Sequence, residues 1–415
     1  MATRSILFVN RVFPPDRGAT GRCLADLAGA FVRAGWRVGV LAAGRGSARV
    51  RAGVTVWRCA PLGDPAACMS GLDGRLAAAA LRLPRHDIVV TMTDPPLLAL
   101  LGPLLAATWR ARLIHWSHDL YPDLFPVIGR PLASGAADAA MASMAGALAA
   151  HDAVVAIGPC MARRLAGRGI DSERIAVIAN WADPLIRPNE PGSAILRGRL
   201  GLGQRFVVGY AGNFGLAHPL DRVVDVAGRL ERRLPEAVFL MVGDGRGRPG
   251  FERMVMRRRL ANVVLHPWQP DALVGAMLGA VDLHLAVMVK AAEGMMVPSK
   301  VAGVLAAGRP CLFLGPAGSS AADRIRRSGA GDVVDPDDGQ AIADRIERLA
   351  RDRVRWLAAC AAARRERGNH GFVQGAGRFL ALAERLVESG RGACAGGFQA
   401  VGGPGDAGIR ARAHA

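Results

Sequence analysis

Lysine is almost missing from this chain. Of 53 basic side chains only two are lysines, Lys290 and Lys300, and both lie in one stretch. Aromatic residues are scarce as well, at 5%, and no basic block is interleaved with them. Proteins that bind single-stranded nucleic acid stack bases on aromatics set beside cations. The net charge of +18 therefore points away from nucleic acid and toward smaller acidic partners: phosphorylated substrates or anionic lipid headgroups. The cysteines (Cys23, Cys59, Cys68, Cys160, Cys311, Cys360 and Cys394) contain no CxxC pair and no zinc spacing, and their number is odd. That disfavours a disulfide framework and a zinc site; several sit in apolar runs, where cysteine packs as a small hydrophobe. No signal-peptide pattern precedes the first expected strand, so a reducing cytoplasm is the expectation.

Long hydrophobic runs are lacking too. In the N-terminal half the longest uncharged apolar run covers residues 97–109, short of the roughly 20 residues that span a bilayer. With Trp109, Arg110 and Arg112 at its end, this run has the character of a surface resting on an anionic membrane. A buried helix is the plainer alternative. Finally, no GxGxxG follows the first strand of either half, which argues against a nicotinamide-dependent dehydrogenase.

What is present reads as a folded α/β protein. Hydrophobic residues make up 51% and charged ones 21%, and 415 residues exceed what one compact core holds. A short apolar strand at 5–10 leads through a loop into a helix at 23–34, with Leu24, Leu27, Ala28 and Phe31 on one face. Strands are expected next at 36–42, 54–58, 87–91, 113–116, 153–157 and 175–178. A polar, Pro-rich connector at 184–191 precedes a second alternating series, with strands at 206–211, 237–242, 263–266, 282–287 and 311–315. The expected units are a first domain, 1–184, a second domain, 185–370, a closing helix, 371–388, and a Gly-, Ala- and Arg-rich tail, 389–415, expected to be disordered. Parallel sheets of this kind carry their ligand loops at the C-terminal ends of the strands.

Those loops hold the scarce residues. Both tyrosines, Tyr121 and Tyr210, lie in HDLYPD and GYAGNFG; Asn10, Asn180 and Asn213 also follow strands. Residues 290–310, KAAEGMMVPSKVAGVLAAGRP, combine a loop, a helix start at Pro298 and Ser299, and the two lysines. A loop, a helix N-terminus and a compact ammonium together suit a phosphate held at one spot. Gly212, Asn213, Phe214 and Gly215 can offer backbone amides as an anion nest, or form an ordinary tight turn. The acidic run at 335–338 falls where acids favour a helix start, so it is not read as a metal-binding DxD.

The stretches FVNRVFPPDRGATGR, HDLYPD, IANWAD, GYAGNFGLAH, MVGDGR and VPSKVAGVLAAGRP follow one another in an order and spacing that resembles the GT-B glycosyltransferases of retaining family 4. The likeness is greatest to bacterial enzymes of exopolysaccharide and O-antigen assembly, and it runs from about residue 5 to residue 386. It implies two facing Rossmann-like, doubly wound domains with a cleft between them and a C-terminal helix crossing back to the first. The second domain would hold a nucleotide-sugar donor through Gly212, Asn213, Gly215, Gly243, Asp244, Ser299 and Lys300. His118 and Asp119 would act at the reacting centre. In a front-face transfer His118 positions the sugar, and the leaving phosphate takes the acceptor proton. Asp16, Gly18, Thr20, Asp94 and Asp123 would meet the acceptor or the domain interface, and Trp268 and Gln269 could edge the base. Two glutamates eight positions apart are frequent in the family; Met295 and Gly303 stand there instead. The loop after the first strand of the second domain also lacks the usual cations, so Lys300 is read as their replacement.

The function these features imply is transfer of a sugar from a nucleotide-sugar to a lipid-linked or oligosaccharide acceptor, without cofactor or metal. The place is the cytoplasm, with peripheral contact to the inner membrane face. A nucleotide-sugar 2-epimerase and a non-catalytic nucleotide-sugar binder are the alternatives.

Overall fold

The computed structural model describes residues 3–16, 18–44, 49–59, 74–215, 220–369 and 371–389. The expected tail from 390 onward, and the LAH portion of GYAGNFGLAH, lie outside the described residues. In chain order the first unit holds β1 (Ser5–Val9), α1 (Ala19–Arg33), β2 (Arg37–Ala43), β3 (Arg49–Arg51), β4 (Val54–Cys59), α2 (Gly74–Leu81), β5 (Ile88–Thr91), α3 (Leu101–Trp109), β6 (Arg112–Ser117), α4 (Leu124–Val127), α5 (Ser134–Ala149), β7 (Ala153–Ala156), α6 (Pro159–Ala166) and β8 (Ile175–Val177). The second holds α7 (Glu190–Arg199), β9 (Phe206–Ala211), α8 (Asp221–Arg233), β10 (Ala237–Val242), α9 (Arg248–Arg258), β11 (Val263–His266), α10 (Val274–Gly279), β12 (Leu283–Val287), α11 (Lys300–Ala306), β13 (Cys311–Leu314), α12 (Ser320–Ser328), β14 (Gly331–Val334) and α13 (Gly339–Arg351). α14 (Arg353–Asn369) and α15 (Phe372–Ser389) close the chain.

The strands form one eight-stranded and one six-stranded sheet, in the orders β3-β4-β2-β1-β5-β6-β7-β8 and β11-β10-β9-β12-β13-β14. Every pairing is parallel except β3 with β4. The cause is visible in β1 and β10, whose residues are buried at every position; such strands need cover on both faces, which helices supply. Chain direction across each sheet reverses beside β1 and beside β9. Doubly wound sheets open their ligand crevice at that reversal, so the loops after these two strands face the place where a ligand belongs.

Several local expectations change. The apolar run 97–109 turns inward, as the plainer reading had it: Leu98, Leu101, Leu105 and Trp109 are buried with Leu7, Val9, Val89 and Leu113, while Leu104, Ala107 and Thr108 are exposed. Its larger side chains serve the core. Among the described residues no helix is long and apolar enough to cross one. The polar connector begins a helix, α7, capped where the Asn189 side chain accepts from the Gly192 amide at 3.0 Å. The final helical stretch is two helices, α14 and α15.

α15 lies on the first domain. Phe379, fully buried, meets Phe31 of α1 at 6.3 Å and Trp116 of β6 at 5.2 Å, and Phe372 meets Trp181 at 5.5 Å between ring centres. Burial of such rings contributes about 1.5–3 kcal/mol each. The approach needs a glycine: a β-carbon at Gly375 would sit 2.5 Å from the Trp181 ring. The ion pairs of Arg4 with Glu384 and Glu388, at 3.3 and 3.0 Å, are largely solvated and add little.

Candidate active site

In the second domain the site is built on Tyr210, the last buried residue of β9. Its ring packs edge-on against Phe214 at 5.4 Å, and Phe214 against Phe251 at 5.6 Å, which fixes the phenol. The Tyr210 hydroxyl donates to the Asn213 carbonyl at 2.6 Å. The Lys300 ammonium donates to that hydroxyl at 2.7 Å and lies 4.5 Å from the ring centre. A β-carbon at Gly212 would come within 2.6 Å of the lysine stem, so the glycine makes room for it. Among the described residues no carboxylate pairs with Lys300. The residue as a whole is part-exposed, but its ammonium is enclosed, and burial pushes its pKa down to about 7. An enclosed cation without a counter-ion is a costly arrangement that a bound anion would relieve.

The glycine loops are knitted to each other. Gly212 donates to Val242 at 2.9 Å, Phe214 to Asp244 at 2.8 Å, and Gly247 to Phe214 at 2.8 Å. Gly243 is required here: its φ is 133°, and a β-carbon would overlap the Gly212 carbonyl. Two amides of the expected nest are thus occupied within the protein; those of Asn213 and Gly215 have no backbone partner among the described residues. The Asp244 carboxylate accepts from the Gly245 amide at 2.7 Å, which shapes the loop.

Ser299 departs from expectation. It precedes α11 but makes no capping hydrogen bond. α11 has only seven residues, so its terminus adds little to an anion site. Ser299 is exposed and lines a cavity that Asn180 also lines. Lys290 turns outward to Asp335 and Asp337, at 2.7 and 3.1 Å, while Asp338 caps α13 by accepting from Ala341 at 2.9 Å. Trp268 is half-exposed, and Gln269 meets His266 at 2.7 Å.

The first domain supplies the opposite wall. His118 follows β6, its ring tilted against Trp116 with the centres 4.6 Å apart. Its Nδ1 accepts from the Asn180 side-chain amide at 3.2 Å. Burial holds its pKa down at about 3, so the ring is neutral near pH 7. With Nδ1 accepting, the proton sits on Nε2, and that N–H has no partner. His118 therefore presents a donor rather than a base. Asp119 carries a carboxyl with no hydrogen bond or ion pair among the described residues; burial first, then Asp94, pushes its pKa up to about 7. Its backbone bridges to Met296, and the Leu120 amide donates to the Met295 carbonyl at 2.7 Å. That contact joins the two domains across the cleft.

The other acids do not face a ligand freely. Asp16 pairs with Arg58 at 2.6 Å, Asp94 with Arg11 at 2.6 and 3.0 Å, and the buried Asp123 with Arg164 at 2.9 Å and with Arg168. These pairs hold loops in place. Gly18 and Thr20 sit at the uncapped start of α1. Met295 is buried, and a β-carbon at Gly303 would touch Ile186 and Leu278 at 3.6 and 3.7 Å. Both positions where glutamates are frequent are therefore apolar niches in this chain.

Buried polar groups without partners complete the wall. Eight buried side-chain polar atoms lack a hydrogen-bond partner among the described residues: Asn10 Oδ1, Thr93 Oγ1, Trp116 Nε1, Ser117 Oγ, His118 Nε2, Asp123 Oδ2, Asn180 Oδ1 and Asn262 Oδ1. All but Asp123 and Asn262 lie at the strand ends of the first sheet or within three residues of them. Each such group costs about 1–3 kcal/mol unless something pairs with it. Sequence reading singles out Asn10, His118, Asp123 and Asn180 among these; it misses Trp116, Ser117 and the Tyr210–Lys300 contact.

Comparison with known proteins agrees with this architecture. Residues 18–181 match a glycosyl transferase 4-like domain and residues 205–352 match glycosyl transferases group 1. The chain is 30% identical over 161 residues to the putative colanic acid biosynthesis glycosyl transferase WcaI of Escherichia coli, over 38% of this chain and 39% of WcaI. It is 24% identical over 274 residues to the probable glycosyltransferase WbjE of Pseudomonas aeruginosa, over 65% of this chain and 67% of WbjE. The matched stretch thus spans well under half the length of the first of these relatives. Among solved structures, Anabaena HepE in complex with UDP-glucose superposes with a TM-score of 0.73 at 17% identity, over 92% of this chain and 99% of that one. WaaG, a glycosyltransferase involved in lipopolysaccharide biosynthesis, superposes with a TM-score of 0.70 at 15% identity, over 92% and 99%. At these identities the structures speak for the fold. With a 4-like domain followed by a group 1 domain on two facing parallel sheets, the chain belongs to the GT-B glycosyltransferases.

Proposed function

We propose that this glycosyltransferase moves a sugar from a nucleoside-diphosphate sugar to a saccharide acceptor in the building of a cell-surface polysaccharide. One observation carries the reading. On one side of the cleft an enclosed Lys300 ammonium lacks a counter-ion; on the other, buried polar groups lack partners. The first calls for an anion and the second for hydroxyls, and a nucleotide-sugar brings both. The polysaccharide context is supported by the names of WcaI and WaaG, and the donor class by the UDP-glucose held by HepE.

In this reading Lys300 and the amides of Asn213 and Gly215 hold the diphosphate and stabilise charge as it leaves. The His118 Nε2–H binds a hydroxyl of the transferred sugar. The bond between the anomeric carbon and the phosphate oxygen breaks, and the acceptor oxygen bonds to that carbon on the same face. The acceptor proton passes to the departing phosphate oxygen. Retention follows, and no metal is needed because Lys300 supplies the charge. Asp119, able to hold or release a proton near neutrality, lies beside the acceptor. A lipid-linked acceptor on the inner membrane face is in keeping with the net charge of +18.

The test is His118→Ala with UDP-sugars and extracted lipid-linked saccharides. Nucleotide binding should persist while transfer falls at least about 100-fold. Full turnover would remove His118 from the mechanism. Epimerised nucleotide-sugar formed without acceptor would replace transfer with epimerisation, and tight nucleotide binding without any product would leave a binding protein.

A further inference from the structure

A second cavity, of about 230 Å³, lies on the flank of the cleft. It sits where the edge strand β8 of the first sheet approaches α11 and α12 of the second domain and α15. In the second sheet α12 follows β13, which β12 separates from β9, so the cavity is displaced from the glycine loops of β9 and β10.

Its chemistry is divided. At the mouth stand Arg327 and Arg378, both exposed. Arg378 has no ion pair or hydrogen bond among the described residues, and Arg327 meets only Asp323, at 3.7 Å. A third arginine, Arg324, is occupied by the buried Glu366 at 2.9 Å, so it stiffens the wall and leaves the mouth cationic. Further in is the Asn180 side chain, whose carbonyl oxygen is buried without a partner; Ser299, itself exposed and capping nothing, lines the cavity nearer its edge. Val297, Pro298 and Val301 form an apolar side. Guanidinium forks suit phosphate, and an unpaired amide oxygen beside a hydroxyl suits sugar hydroxyls. The volume is below the roughly 300–1,000 Å³ of sites for larger ligands, and no aromatic ring lines it to stack a base.

We propose that this cavity binds a monosaccharide phosphate, with its phosphate between Arg327 and Arg378 and its hydroxyls on Asn180 and Ser299. The ligand would touch all three parts of the fold: the β8 loop of the first domain, α12 of the second and the crossing helix. Because the Asn180 amide also contacts His118, occupancy would settle the orientation of that histidine. This link rests on the reading of His118 given for the transfer reaction, whereas binding itself does not.

The experiment is calorimetry on the full chain, saturated with UDP, using glucose 1-phosphate, mannose 1-phosphate, galactose 1-phosphate and glucose 6-phosphate. Inorganic phosphate and glucose serve as controls. At least one sugar phosphate should bind in the presence of UDP, more tightly than either control. The double variant Arg327→Glu/Arg378→Glu, altered only at exposed positions, should weaken it at least about tenfold while UDP affinity stays the same. The proposal is overturned if no member of the panel binds at millimolar concentration, if binding competes with UDP, if inorganic phosphate binds equally well, or if the double variant binds as before. UDP affinity, read in the same titrations, tests the nucleotide site separately.

Discussion

Replacing Lys300 by methionine removes the ammonium while keeping an unbranched stem beside Gly212 and the Tyr210 ring. Burial lowers the Lys300 pKa to about 7 from 10.5. At pH 7 the unfolded chain would bind this proton far more tightly than the folded one. Over that shift the linkage relation gives a cost to the folded state of about 4 kcal/mol. Because the residue is part-exposed, solvent screening lowers the figure, and we expect Lys300→Met to stabilise the empty protein by about 2 kcal/mol. The sign follows from proton counts: between pH 7 and 10.5 the unfolded state holds more protons, so this contribution to stability rises with pH. Urea unfolding of both proteins at pH 7 and pH 9 should therefore show the variant's advantage shrinking at the higher pH. Nucleotide binding should move the other way. A diphosphate restores the counter-charge and raises the lysine pKa, so UDP should bind with proton uptake near neutrality, seen as a heat that depends on buffer ionisation enthalpy. The variant should lose this uptake and most of its affinity. A destabilised empty variant, or one that binds UDP unchanged, would refute the reasoning.

Three more outcomes are expected. His86, His151 and His284 are held by burial at about 4 and His118 at about 3, with His115 also well below its ordinary value. The unfolded chain takes up these protons below about pH 6.5, so each buried histidine should cost about 1.4 kcal/mol of stability per pH unit as pH falls toward its folded pKa. A urea midpoint that does not drop between pH 7 and pH 5 would contradict this. Gly243→Ala forces a side chain into a φ of 133° against the Gly212 carbonyl; it should cost about 1–3 kcal/mol and reduce UDP affinity, measured by unfolding and titration. Phe379→Ala should cost about 3–5 kcal/mol and lower the thermal midpoint; an unchanged midpoint would show that α15 is not anchored by this ring.

The two sheets were legible because their strands are short apolar runs ending at polar, glycine-bearing loops, a pattern that buried parallel sheets impose. α7 was not, since only Ser193 and Leu196 of its ten residues are buried, too few to mark a helical face. The partners of Asp16, Asp94 and Asp123 were also beyond reach. Arg58, Arg11 and Arg164 come from distant points of the chain and meet these acids only through the fold, so an acid in a motif loop reads the same whether paired or free. Ser299 and Lys300 show a further limit: they are neighbours in sequence, yet one lines the flank cavity and the other crosses to Tyr210. Which way each points depends on the turn of backbone entering α11.

The placement of Phe379 has a consequence for recombining this enzyme with its relatives. The last helix completes the packing behind Trp116, and Trp116 backs His118. The first 184 residues alone would therefore leave Trp116 and Trp181 uncovered, and a relative's second half would bring a helix shaped for a different partner surface. A chimera meant to exchange the amino-terminal half has to carry residues 372–389 together with it, so that the transplanted unit is discontinuous in sequence although it is one body in space.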